Sequence, residues 1–425
     1  MNLLSSTSRV ETPFVKVTIG SYTFGYMDVE IVQANKQSTY SAYRSAGIIY
    51  PNYIKSLQVK KINGTVNQYT LNIVYQITEK DDPNFFEKVF SSISKTREII
   101  FSYGDMSVPS FMFRDEKAFL LNVTPSIDIQ SSRISYTVTA VSKCILNKVG
   151  SYTFPAETIR PSERLRRLLY EENEKYGLLD VFTGMRNRTL VEKLKLIPVD
   201  DIIVDLEMKT NESVLDYMIY LVNMMTNNKQ DSLKKSVYLI GYFDGGYIEN
   251  GKEEINGTYF KIERCDDGAE QKDAYEIDIG YMTTNNPVID FRAEDNQTFS
   301  LFYDYQNALN GAGYVEWINN RGEYETVYAP ILSSGNSLHY TTEEEKTYWA
   351  KVTQFPVKAS ITLKGLIRQP VLMEYLRVNV LFYGRKYLYS GLYIITMQQD
   401  NISESGFTTT LDMVRVAGDN KPTIF

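Results

Sequence analysis

Hydrophobic and polar positions alternate most cleanly near the end of the chain. Phe407, Thr409, Leu411 and Met413 share one face of an extended segment, and Thr408, Thr410 and Asp412 share the other. A period of two with one apolar side predicts a half-buried antiparallel strand. The stretch 358–416 divides into four such strands, with Tyr389-Ser390-Gly391 and Ser405-Gly406 as breakers between them. The first third of the chain has the same texture. Residues 14–19 alternate, and 21–33 carry two apolar sets out of phase, which predicts two strands or one strand bent around Gly25. The runs 54–62 and 66–77 flank Asn63-Gly64, a strong hairpin signal. Further strands are predicted at 97–103, 118–129 and 132–142. Between them Phe86, Val89, Phe90 and Ile93 fall at helical spacing, with Asp82 as cap and Pro83 as first helical residue.

The pattern changes after 150. Pro155 and Pro161 bracket a linker, and 162–176 predicts a helix with Leu165, Leu168 and Leu169 as its apolar stripe. Arg164, Arg166 and Arg167 are read there as surface charges. A second helix is expected at 189–196, a strand at 201–207, and an amphipathic helix at 213–226 whose methionines fill core gaps. Strands resume at 236–243, 258–264, 274–281 and 287–305. Residues 310–325 read as loop, and Thr341-Thr342 before Glu344-Glu345 as the start of a short helix. The expected fold is mainly β with an α+β middle: two antiparallel β-barrel or sandwich units with an inserted mixed α/β region. The divisions expected are 1–150, 151–235, 236–345 and 346–425.

Composition adds one outlier, 33 Tyr beside 20 Phe in 425 residues. Aromatic enrichment favours pleated surfaces and large protein interfaces. The net charge of −7 argues against a non-specific grip on nucleic acid, though not against a surface that DNA slides past. Cys144 and Cys265 lie far apart, so no disulfide framework is indicated and folding in a reducing compartment is expected. The first twelve residues are polar, without a signal-peptide core, and no apolar run reaches the roughly 18 residues of a membrane helix.

Candidate chemistry is sparse. The single histidine, His339, lies in a Gly/Ser-rich loop, and there is neither a nucleophile elbow nor a phosphate loop. Asp266-Asp267-Gly268 lacks the rest of a calcium loop. Glu294-Asp295 and Glu343–Glu345 read as solvated charges, and Arg385-Lys386-Tyr387 equally as an exposed hairpin tip or a protein contact. No catalytic residue, cofactor or metal is assigned.

The segment GLYIITMQQDNISESGFTTTLDMVRV, with LRVNVLFYGRKYLYS before it, resembles the C-terminal end of hub proteins from tailed bacteriophages. It is also similar to the hub portion of contractile injection systems. The matching positions are Ser390, Gly391, Tyr393 and Ile395, then Gly406, Phe407, Thr409, Thr410 and Leu411. Weaker likeness extends over 349–366 and 213–243. The resemblance implies a baseplate or tail-tip protein at the distal end of a tail tube. It implies a ring-shaped homotrimer with two tube-like domains per subunit, the first over 14–148, matching a sixfold tube to a threefold tip or spike. Ser390, Gly391, Tyr393, Gly406, Phe407, Thr409 and Thr410 would be turn and wall positions of the assembly interface. The implied partners are tail tube protein, a spike or tip protein and the tape-measure protein. DNA would cross the lumen without specific binding. The implied place is the virion tail, assembled in the host cytoplasm. Some relatives carry a C-terminal lytic domain; here hydrolysis is expected from another chain. A receptor- or carbohydrate-binding tail protein is the alternative, and a two-carboxylate glycan hydrolase a further one.

Overall fold

The structure, a computed structural model, describes residues 13–27, 47–93, 97–105, 113–186, 188–190, 195–225, 237–249, 252–255, 257–265, 274–280, 288–295, 315–318, 324–327, 357–364 and 372–418. The predicted helices at 189–196 (in its central part) and 341–352, His339 and the 266–268 turn lie outside them.

The first third supplies β1 (Pro13–Ile19), β2 (Tyr22–Met27), β3 (Ile54–Ile62), β4 (Gln68–Gln76), α1 (Phe85–Ser91), β5 (Glu98–Asp105), β6 (Phe113–Asp128) and β7 (Arg133–Ser142). The middle contributes α2 (Pro161–Tyr170), α3 (Val214–Met224), β8 (Val237–Phe243) and β9 (Tyr259–Cys265). The closing part contributes β10 (Tyr275–Gly280), β11 (Val288–Asp295), β12 (Val357–Lys364), β13 (Tyr375–Phe382), β14 (Gly391–Ser403) and β15 (Gly406–Gly418). The chain is therefore mainly β, with helices concentrated in an α+β middle.

One sheet runs through both ends of the chain. Its order is β11-β12-β15-β14-β3-β4-β7-β6-β5-β1-β2, and β10 and β13 pair beside β14. No closed barrel is formed among the described residues. The two ends of the sequence meet where β14 pairs antiparallel with β3, from Met397 opposite Ile62 to Ser403 opposite Ser56. The Asn63-Gly64 turn does more than reverse the chain. Gly64 takes a left-handed φ of 71°; its N–H donates to the Ile240 carbonyl at 2.7 Å, and the Asn63 N–H donates to Thr396 at 3.0 Å. The hairpin tip is thus stitched to the middle and closing parts together.

Each part has its own apolar core. Val15, Leu57, Leu71, Phe86, Phe101 and Val138 belong to the first, and Ile277, Ile361, Val378, Ile395, Leu411 and Met413 to the closing one. The middle packs α2 and α3 with β8 and β9 around Leu165, Leu168, Leu215, Met218 and Tyr242. Ile402 and Phe407, from the β14–β15 hairpin, enter the first core. Burying such a side chain contributes about 1.5–3 kcal/mol, so this hairpin fastens one end of the chain to the other.

Several expectations need correction. β2 runs unbroken through Gly25, which pairs with Lys16, while Val29 and Ile31, the second apolar set of that expectation, lie outside the described residues; glycine is needed at 25 because a Cβ would meet Ile48 side-chain atoms at 2.2 Å. The first helix begins at Phe85, with Asn84 at its N-cap position making no side-chain capping bond, and Asp82 orders the preceding turn by accepting the Asn84 N–H at 2.9 Å. Arg164 is a buried residue, 2% exposed, and no surface charge. It grips Glu172 at 2.7 Å and lies over the Tyr217 ring. Within 310–325, read as loop, Val315–Ile318 is a strand paired antiparallel with Tyr324–Val327.

Candidate assembly surface

β11-β12-β15-β14-β3-β4-β7-β6 forms an eight-strand antiparallel ribbon. Alternation gives it two unlike faces. One is packed on the cores. The other carries rows of short uncharged side chains that cross the join between the chain ends. Thr408, Asn401, Gln58, Thr70, Thr139 and Asn122 stand opposite one another in one row, half-buried or exposed, with exposed Lys364 of β12 at its end opposite Thr408. A neighbouring row runs Ser403, Ser56, Asn72, Thr137 and Thr124. Its side chains are linked: Asn72 donates to Ser56 at 2.7 Å and Thr137 to Asn72 at 3.2 Å. Such ladders hold their own hydrogen bonds and offer little charge to a ligand.

The ribbon ends in two open edges. Among the described residues β11 has a ladder only to β12, and β6 pairs outward with β5 only as far as Phe119. The remaining outer edge of β6 is accompanied by exposed Leu121 and Ile127, with Ile129 beyond, and β11 exposes Ile289. Exposed edges with apolar side chains are pairing templates.

The sequence-assigned positions are placed as follows. Ser390 is buried, and its hydroxyl accepts the Val380 N–H at 3.0 Å. Gly391 is buried and opens β14. Tyr393 is buried and donates to the Tyr389 carbonyl at 2.6 Å. Phe407 sits in the first core, and buried Thr409 donates to Asp400 at 2.6 Å. Gly406 forms the turn into β15 at a φ of 107°. Thr410 lies on the polar face, its hydroxyl 3.2 Å from that of Thr362. Five of the seven thus face inward within the chain, and Gly406 and Thr410 reach solvent.

Sequence reasoning missed a buried polar cluster behind the ribbon. Lys61 meets Glu116 at 2.5 Å. The Tyr69 hydroxyl lies 2.8 Å from Glu116 and 3.1 Å from Asp244. Ser142 donates to Asp244 at 2.7 Å, Asn67 at 2.9 Å and Thr258 at 3.1 Å. Burial pushes the carboxyls of Glu116, Asp244 and Asp400 upward, against the pull of Lys61 and the hydrogen bonds. No signal in the sequence marked it, since Asp244-Gly245-Gly246 reads as an ordinary turn. Among the described residues no group of three His, Cys, Asp or Glu side chains could hold a metal ion, and no helix is long and apolar enough to cross a membrane.

No protein-family model matches the chain, and no curated protein matches it. Solved structures do. The chain is similar to the 43 kDa tail protein of prophage MuSo2 from Shewanella oneidensis, at 9% identity and a TM-score of 0.49, over 96% of this chain and 100% of that one. It is similar to a tail protein from Neisseria meningitidis, at 8% identity and a TM-score of 0.46, over 95% and 98%. It is also similar to an Escherichia coli type VI secretion component, itself described as similar to T4 bacteriophage tail proteins. That match has 8% identity and a TM-score of 0.42, over 87% of this chain and 76% of that one.

Proposed function

We propose that this chain is a structural protein of a phage-type tail, and that three copies close into the hub ring at the distal end of the tail tube. The observation that carries the reading is the eight-strand ribbon with its two open edges. Every neighbouring pair in it is antiparallel, and eight is even, so β11 and β6 run in opposite directions. The β6 edge of one copy therefore meets the β11 edge of the next in the antiparallel sense the ribbon already uses. Copies add head to tail, a heterologous contact that closes by rotation. Strand directions alternate, so a cut at the β14–β3 join, where the two ends of the chain meet, leaves β11-β12-β15-β14 and β3-β4-β7-β6 as two four-strand half-ribbons with the same sequence of directions. Three chains then present six, which suits a sixfold tube on one rim and a threefold spike or tip on the other. The β14–β3 join inside the chain is the counterpart of the β6–β11 contact between chains.

On this reading the face turned away from the cores lines the channel, with room for the tape-measure protein and then for DNA, and its scattered cations, Lys60, Lys358, Lys364 and Arg292, are interspersed with Asp290, Glu294 and uncharged rows and form no continuous cationic track. The first tube unit falls in 1–150 and the second takes its main part from 346–425 with β10 and β11 added from 236–345, the rest of 151–345 lying outside them, and the ring joins the virion tail during assembly in the host cytoplasm. The chain acts by assembly, without catalysis. The alternative, a receptor- or carbohydrate-binding tail protein, is favoured by the exposed aromatic tip of Phe382, Tyr383 and Tyr387. Light scattering of the purified chain, alone and with tube protein, tests the proposal. The expected mass is that of three chains; a monomer under both conditions, with glycan binding at the aromatic tip, contradicts it.

A further inference from the structure

We propose that the contact between the first β unit and the middle region is a latch closed by one bound proton. Glu116 comes from β6, Tyr69 from β4, and Asp244 follows β8 in the middle region. The Tyr69 hydroxyl lies 2.8 Å from Glu116 Oε2 and 3.1 Å from Asp244 Oδ2. A hydroxyl carries one proton and can donate to only one of them. The other contact closes when that carboxyl is itself protonated and donates back to the phenol oxygen. The surroundings agree with this count. Lys61 of β3 is the cation in the cluster, and it is spent on Glu116 Oε1. Tyr103 of β5 reaches Glu116 at 3.3 Å, and Cys144 lies behind Ser142 at 3.2 Å. From β14 comes a third carboxyl, Asp400, held by Gln398 at 2.8 Å and by Thr409 of β15. Glu116 and Asp400 are 1% exposed, Lys61 2% and Asp244 5%. Three ionised carboxylates around one buried ammonium would leave an excess of two negative charges out of water, which is costly, and one proton halves it, the remaining carboxylate being held by its hydrogen bonds.

The latch joins separate regions. Asp244 is gripped by Asn67 and Ser142 of the first part and by Thr258 of the middle, and Asn67 also donates to the Tyr242 carbonyl. Losing the proton sets two carboxylate oxygens against one hydroxyl and loosens this seam. The sign follows from burial. The folded carboxyl holds its proton above its ordinary range, so the latch is complete below that range and is lost as pH rises through the raised value.

Hydrogen exchange of the full chain, from about pH 5 to about pH 9 and corrected for intrinsic rates, reads the seam at residues 237–246. The expected opening constant rises about tenfold per pH unit across the window where the proton leaves. In Glu116→Gln the new amide donates to both Tyr69 and Tyr103, Tyr69 donates to Asp244, and the slope disappears. Asp244→Asn is the second variant, with the same expectation. A flat wild-type profile, or an equal slope in wild type and a folded variant, overturns the proposal. Should neither variant fold, the infrared carbonyl band of a protonated carboxyl decides. Its presence at neutral pH and loss in parallel with the opening support the latch, and its absence overturns it.

Discussion

The two halves of the ribbon use the same strand directions to cover unlike cores. In the first part α1 drives Phe86 into a ring of aromatics, with Tyr136, Tyr75, Phe24 and Tyr53 at centroid distances of 5.2 to 5.6 Å. In the closing part the parallel pair β10–β13 takes the place of a helix, and the core is mainly aliphatic, around Ile361, Leu376, Val378, Ile395 and Leu411. The difference shows what the fold holds fixed. Strand pairing is kept across both halves, while the cores are filled by whatever local element is at hand, and the face turned away from them passes from uncharged rows around the β14–β3 join to charged positions such as Lys358, Lys364 and Arg292 on β12 and β11. Selection on the ribbon is thus expected to act through edges and polar rows, and on the cores only through volume.

Breaking each core separately gives the largest effects. Phe86→Ala is expected to cost about 3–5 kcal/mol, and Leu411→Ala about 2–5 kcal/mol. The sharper expectation is where the loss appears. Hydrogen exchange should rise in β3 and β4 for the first, and in β12 and β15 for the second, with β14 responding to both because it pairs with β3 and β15 alike. Equal exposure of both halves in either variant would show one shared core instead of two. A smaller effect is expected at the turn that joins them. Gly406→Ala forces a side chain into a φ of 107°, at about 1–3 kcal/mol, read as a lower thermal midpoint with the strand pairing kept.

Much of the β framework was legible because alternation is a local signal. The 54–62 and 66–77 runs and the closing hairpin needed only their own residues. What was not legible depended on partners far along the chain. Tyr69 and Asp244 are 175 positions apart, and the β14–β3 join links residues more than three hundred apart. Arg164 sits in a charged helix, so its sequence context reads as surface; its burial is decided by Glu172 and Tyr217. Gly25 looked like a bend because a close approach by Ile48 leaves no trace in periodicity. The motif-matched positions Ser390, Tyr393 and Thr409 were visible in sequence, yet their side chains serve the inside of the chain.

The central claim, that β6 of one copy pairs with β11 of the next, is tested most directly by blocking one edge at a time and mixing. Leu121 and Ile289 are 55% and 56% exposed, so Leu121→Asp and Ile289→Asp should leave the fold intact. Each variant alone has one usable edge and should scatter light as a monomer. Mixed, the intact β6 edge of Ile289→Asp meets the intact β11 edge of Leu121→Asp, and the account predicts a complex of two chains that cannot grow into a ring. Three-chain mass for either variant alone, or no complex in the mixture, would contradict it.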